Sequence, residues 1–178
     1  MSPVSPASAL TPAQAARLIG GAAAMIEAEL AALPDEVVRW HPGPGEWCAL
    51  EVLGHLIEAD RRGFDGRIRV ILREDAPTLA AWDQDAVARA RRDFARPARE
   101  LIDEFLALRR DSVALVSGLR GRDLERIGRH PKVGDLTVRD LLHEWVHHDR
   151  NHLRQIQAGV QAAVWPHLGN AQRFSVPA

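Results

Sequence analysis

Between Leu141 and Ile156 the chain reads LLHEWVHHDRNHLRQI. Leu141, Trp145, His148, His152 and Ile156 are spaced three or four apart. A helix turns about 100° per residue, so these five side chains share one face. That face is apolar except for two imidazoles, which therefore point inward with their neighbours. A helix with such a stripe must pack against others, and this makes it one wall of a bundle. His143 and His147 form a second i, i+4 pair on a more polar face. Two inward imidazoles one turn apart can share a metal ion, and imidazole nitrogen suits zinc, nickel, iron and copper. They can equally be hydrogen-bonded core histidines, and this helix alone leaves both readings open.

Three further segments show the same periodicity. Thr11-Pro12-Ala13-Gln14 opens a helix with a capping box, Leu18, Ala22, Met25, Leu30 and Leu33 follow, and Pro34 stops it. A Pro/Gly loop from Trp40 to Trp47 leads to Cys48, near the cap of a helix expected over residues 49–73, with Glu51 placed to return a bond. Leu53, Leu56, Ile57, Asp60, Phe64 and Ile71 mark its core face. His55 falls beside Val52 and Ala59, at the boundary of that stripe. A short helix is expected to end at Arg92. Leu101, Phe105, Leu108, Ser112, Leu115 and Leu119 form a bundle seam. The arginines at 89, 91, 92, 96 and 99 read as a solvated face, with a phosphate or carboxylate site as the alternative. Residues 118–136 read as a polar connection without strand pattern, Gly128 to Pro131 being surface loop. Thr137 and Asp140 cap the last helix, expected to end near Gly159.

These segments imply an all-α fold class: an antiparallel four-helix bundle with an additional short helix and an irregular C-terminal tail. Residues 1–10 read as a flexible N-terminal tail and 11–178 as a single domain. The 178 residues carry a formal net charge of -1, which supplies no electrostatic case for nucleic acid or an anionic membrane. One cysteine excludes an internal disulfide. No apolar run approaches the roughly 20 residues of a membrane span, and the first residues lack the features of a secretory signal. A cytoplasmic location is expected. No Gly-rich phosphate loop and no local Ser-His-Asp pattern is present.

Three segments, in order, resemble the DinB-like superfamily of metal-binding four-helix bundles, which includes thiol-dependent transferases. They are Pro44-Gly45-Glu46-Trp47-Cys48 running into Glu51-Val52-Leu53-Gly54-His55-Leu56, then Trp82-Asp83-Gln84-Asp85, then Leu136 to Leu142 followed by His148 to Ile156. The resemblance covers roughly residues 11–160. It implies that His55 of the second main helix joins His148 and His152 of the last as ligands of a divalent transition metal, zinc or nickel. It also implies homodimers, and as partners a low-molecular-weight thiol and a small-molecule electrophile. The chain departs from the family pattern in two places. Asn151-His152 stands where two adjacent histidines are common, and Cys48 replaces a common serine.

Three neutral imidazoles leave coordination positions open for a guest, unlike a closed structural site. An ion held there can acidify a thiol or a water. Transfer of a thiol to an electrophile is the favoured activity. Metal-dependent hydrolysis and non-catalytic, stress-related binding of metal or a small ligand are the alternatives. Glu51, Asp60, Glu144 and Asp149 are candidates to orient the ligand rings. Cys48 is read as half-buried packing rather than a nucleophile. Trp145 is the one tryptophan singled out as a candidate substrate platform. His41, His130 and His167 are expected on loops or the surface.

Overall fold

The N-terminal helix begins where its cap dictates. The computed structural model describes residues 8–175. In it α1 spans Pro12–Ala32, and Gln14 Oε1 accepts the Thr11 N–H at 2.9 Å while the Thr11 hydroxyl accepts the Gln14 N–H. A single turn, α2 (Asp35–Val38), succeeds Pro34. Cys48 then leads into α3 (Ala49–Glu58), and Glu51 Oε2 accepts the Cys48 N–H at 2.9 Å, as its third-position spacing implies. Of the expected N-terminal tail, residues 1–7 lie outside the described residues, as do the last three of the C-terminal tail.

The helix expected over 49–73 is interrupted. Residues Ala59–Phe64 form a π-helical turn before α4 (Asp65–Arg73) resumes. The Asp65 N–H reaches the carbonyl of Asp60, five residues back. Gly66 permits this widening: a Cβ there would sit 2.0 Å from the Arg61 carbonyl oxygen. Such a turn inserts an extra residue and rotates the helix beyond it. Apolar periodicity does not reveal it, because both flanking segments keep their own 3.6-residue stripe.

α5 (Gln84–Arg91) is capped by Asp83, whose Oδ1 accepts the N–H groups of Asp85 and Ala86. α6 covers Ala98–Gly118. The arginine run before it is not a uniformly solvated face. Arg91 is largely buried and pairs with Glu58 and Asp93, and Arg96 pairs with Asp93 and Glu104. Arg99 is exposed, as a solvated face implies, and pairs with Asp103. The Arg91 and Asp93 bonds dock the α5 segment on α3, where Gly54 makes room: a Cβ at Gly54 would lie 1.8 Å from Asp93 Oδ2.

The polar connection contains a hairpin that the sequence pattern does not signal. β1 (Ile127–His130) and β2 (Gly134–Thr137) pair antiparallel, Ile127 opposite Thr137 and His130 opposite Gly134. Two four-residue strands, each containing a glycine, carry too little alternation to be read. Gly134 adopts φ +81°, the left-handed conformation that closes the turn. Arg129 exchanges backbone bonds of 2.8 Å with Pro77 and Leu79, which ties the hairpin to the loop after α4. α7 (Val138–Val164) runs past Gly159, and short 3₁₀ turns at Trp165–His167 and Gly169–Phe174 come after it.

α1 packs against α6 and α7, and α3 packs against the same two helices. The four long helical segments enclose Ile19, Ile26, Leu53, Leu56, Phe105 and Trp145, all fully buried. Among the described residues no helix is long and apolar enough to cross a membrane.

Candidate metal centre

His55 lies on the second turn of α3, His148 and His152 on successive turns of α7. Packing of α3 against α7 brings the three together. One ligand nitrogen from each lies within 4.8 Å of the other two. His55 Nε2 and His148 Nε2 are 3.0 Å apart. The boundary position that periodicity assigns to His55 is in fact buried, with 6 % of its surface exposed.

Burial sets the charge of these rings. It lowers the pKa of His55 to about 4, with the neighbouring His152 adding to the effect. His148 is lowered further, by burial and then by His152, His55 and Arg109. His152 is lowered by burial against a raising contribution from Gln155. All three are therefore neutral near pH 7, the form that donates a lone pair to a metal. A four-coordinate ion at about 2.0–2.1 Å from each nitrogen spaces its ligands roughly 3.3 Å apart, close to the observed approach. The donor set fits a divalent transition metal.

The carboxylates considered as ring-orienting partners take other roles. His152 Nδ1 instead faces Gln155 Oε1 at 2.8 Å, one helical turn along α7. That i, i+3 relation is visible in the sequence, but an amide is a less obvious partner than the charged residues around it. The Nδ1 atoms of His55 and His148 are buried without a protein partner among the described residues. Their orientation comes from packing: Trp47 and Trp82 flank the His55 ring at 5.1 and 5.9 Å, and the Phe64 ring meets His148 edge-on at 5.1 Å. Glu51 caps α3 and reaches His41 Nε2 at 2.9 Å; Glu144 stands on the cavity wall.

Asp60 and Asp149 flank an arginine that the sequence reading did not single out. Arg109 projects from α6, is 2 % exposed, donates to Asp60 Oδ2 at 2.6 Å, and forks onto both oxygens of Asp149. The Trp145 indole N–H donates to Asp60 Oδ1 at 3.0 Å, and Arg109 lies over the Trp145 ring at 5.4 Å. Trp145 is fully buried, so it is a floor beneath the site and not a platform for substrate. Phe64 stacks on it, 5.1 Å away and 10° from parallel, and meets His148 with its edge. The buried ionic triad thus locks the π-helical turn, α6 and α7 together under the imidazoles. A single arginine in the apolar seam of α6, four residues after Phe105, was the available signal.

The imidazoles of His55 and His148 open onto a cavity of about 1340 Å³, lined also by Phe64, Arg67, Trp82 and Lys132. His143 and His147 reach its wall but have other partners. His143 accepts the Leu10 N–H and faces the Arg139 carbonyl, and His147 Nδ1 meets the Asn151 amide. Burial pushes the Cys48 thiol up to about 11, so it is protonated near neutral pH and packs in the core.

The sequence profile of the DinB superfamily matches residues 19–156. The chain belongs to the DinB superfamily. The match includes all three of the converging histidines. Among its relatives is Bacillus subtilis YuaE, 31 % identical in an alignment 143 positions long that covers 72 % of this chain and 86 % of that protein. An Oceanobacillus iheyensis protein named as a candidate metal-dependent hydrolase is 22 % identical over 121 residues, 68 % of this chain and 69 % of the other. The structure superimposes with TM-score 0.79 on Bacillus subtilis YfiT, described as a candidate metal-dependent hydrolase with an unusual four-helix bundle topology. That likeness covers 91 % of this chain and 94 % of YfiT at 17 % identity, and it shows a shared four-helix bundle fold.

Proposed function

We propose that this DinB-superfamily protein holds one divalent transition metal ion on His55, His148 and His152 and transfers a low-molecular-weight thiol to an electrophilic small molecule. The observation that carries the reading is the convergence of three neutral imidazoles, two of which line an open cavity. An ion bound there supplies Lewis acidity, which makes a thiol a stronger acid near neutral pH. The chain does the rest. Gln155 fixes the tautomer and direction of His152, Trp47 and Trp82 shield His55 from water, and the cavity holds the electrophile beside the imidazoles. In the transfer, a C–S bond forms to the thiol sulfur, the electrophile's leaving group departs with its electron pair, and the thiol proton passes to solvent.

The names of two relatives favour a second reading, hydrolysis, in which water replaces the thiol at the same donors. The two are separated with 1-chloro-2,4-dinitrobenzene and dithiothreitol as probes, and 4-nitrophenyl acetate as hydrolytic control. Thioether formation that requires protein, added thiol and zinc or nickel, and that is lost in His55→Ala, supports transfer. Ester cleavage that needs metal but no thiol supports hydrolysis instead. Metal content below about a tenth of an equivalent after dialysis against zinc and against nickel would sink both.

A further inference from the structure

The same cavity has a second chemical end. Arg67 stands in the first turn of α4, just after the π-helical turn, and lines the cavity together with Trp82, His55 and His148. Its Nη2 donates to the Ala80 carbonyl at 3.2 Å, while its Nε is buried and, among the described residues, has no hydrogen-bond partner. Burial lowers the Arg67 pKa and no carboxylate acts to raise it. A partly buried guanidinium with an N–H left unpaired is costly, and it is the natural complement of a carboxylate.

A neighbouring charge reinforces it. Lys132 lines the same wall, and its backbone N–H donates to Nδ1 of His130, a ring whose pKa is lowered by burial and then by Arg67 and Lys132. Of the three acids on the cavity wall, Glu144 is exposed and two are engaged elsewhere. Asp83 caps α5, and Asp140 caps α7 by accepting from the N–H and hydroxyl of Thr137. Lys132 is shared, since its charge also acts on Asp83. Arg139 is paired with Glu125. Among the described cations of this wall, Arg67 is the one with a buried, unpartnered N–H. The segment Ala80–Trp82 links it to the imidazoles, for Ala80 accepts its bond and the Trp82 ring stacks on His55.

We propose that Arg67, reinforced by Lys132, is a carboxylate-binding subsite, so that the substrates of this cavity are small organic acids. The proposal rests on the cavity of the transferase reading and deepens it by naming the substrate class. It requires only the cavity, not the metal, and can therefore fail separately.

The test uses benzoate and its neutral isostere benzamide as probes, titrated calorimetrically into the full-length protein freed of metal and again after loading with zinc. Benzoate is expected to bind at least about tenfold more tightly than benzamide in both forms, the margin of a charge-assisted hydrogen bond. Arg67→Gln should abolish that preference, and Arg67→Lys should retain part of it. Circular dichroism checks the fold of each, and Arg67→Lys keeps the test decisive if Arg67→Gln does not fold. Equal affinity for the two probes, or a preference unchanged in the folded arginine variants, overturns the subsite. A preference seen only with zinc and lost in His55→Ala assigns the anion to the ion, which overturns the subsite and leaves the metal reading standing.

Discussion

The Nε2 atoms of His55 and His148 lie 3.0 Å apart although 93 residues separate them along the chain. Neither ring has a protein partner for its buried Nδ1 among the described residues, so aromatic packing and helix docking orient the two rings. Among the three imidazoles, His152 alone has a side-chain acceptor on its other nitrogen.

That asymmetry makes Gln155 a test of ring orientation. Gln155→Leu is expected to weaken zinc affinity by about 10–100-fold, the usual effect of losing a ring-orienting partner. Gln155 is exposed, so the fold should not change. Competition with a chromophoric chelator measures the affinity, and an unchanged value would mean that packing alone orients His152.

Metal retention should tolerate acid. Burial holds the pKa of His55 down to about 4 and lowers those of His148 and His152 as well. A lowered pKa keeps each ring neutral and able to ligate below the ordinary value of about 6.5. Between pH 7.5 and 5.5, zinc affinity is expected to fall by less than about tenfold. Three ordinary imidazoles would lose roughly a thousandfold over the same range. The same shifts bear on metal-free protein. The unfolded chain takes up protons first, so the contribution of these rings to stability is full above pH ~6.5 and declines as the pH falls toward about 4. Equilibrium dialysis checks the first expectation, and urea unfolding at stepped pH the second.

Arg109 balances two buried carboxylates. Arg109→Met should destabilise the fold by about 3–5 kcal/mol, because Asp60 and Asp149 lose their counter-charge. Adding Asp60→Asn and Asp149→Asn to that variant should recover much of the loss, since no uncompensated charge is then buried. Urea midpoints decide between this and a purely steric role, which the two asparagines would not rescue.

Gly54 precedes His55 and lies against Asp93. Gly54→Ala places a methyl 1.8 Å from Asp93 Oδ2 and 2.6 Å from its Cγ, so the α5 segment or α3 must shift. A cost of about 1–3 kcal/mol is expected, as for overpacking elsewhere. Zinc affinity should fall too, because His55 is the next residue on α3. Wild-type stability in this variant would show that the segment yields without strain.

The legibility of the chain differs by element. The caps at Thr11, Cys48 with Glu51, and Thr137 with Asp140 lie within four residues of chain, and they start their helices as expected. The π-helical turn and the hairpin leave no trace in the pattern, for opposite reasons. The turn hides between two intact apolar stripes, and the hairpin has no stripe long enough to see.

Local periodicity in the sequence determined four amphipathic helices, their main caps, and an inward pair at His148 and His152, because backbone geometry repeats every 3.6 residues whatever the surroundings. Resemblance to a family, and not periodicity, nominated His55. Tertiary structure alone decided that α3 meets α7 at that residue, that Asp60 and Asp149 share Arg109, and that Arg67 faces the imidazoles' cavity with donors to spare. Those relations join residues tens of positions apart, and only the docking of whole helices sets the distances between them.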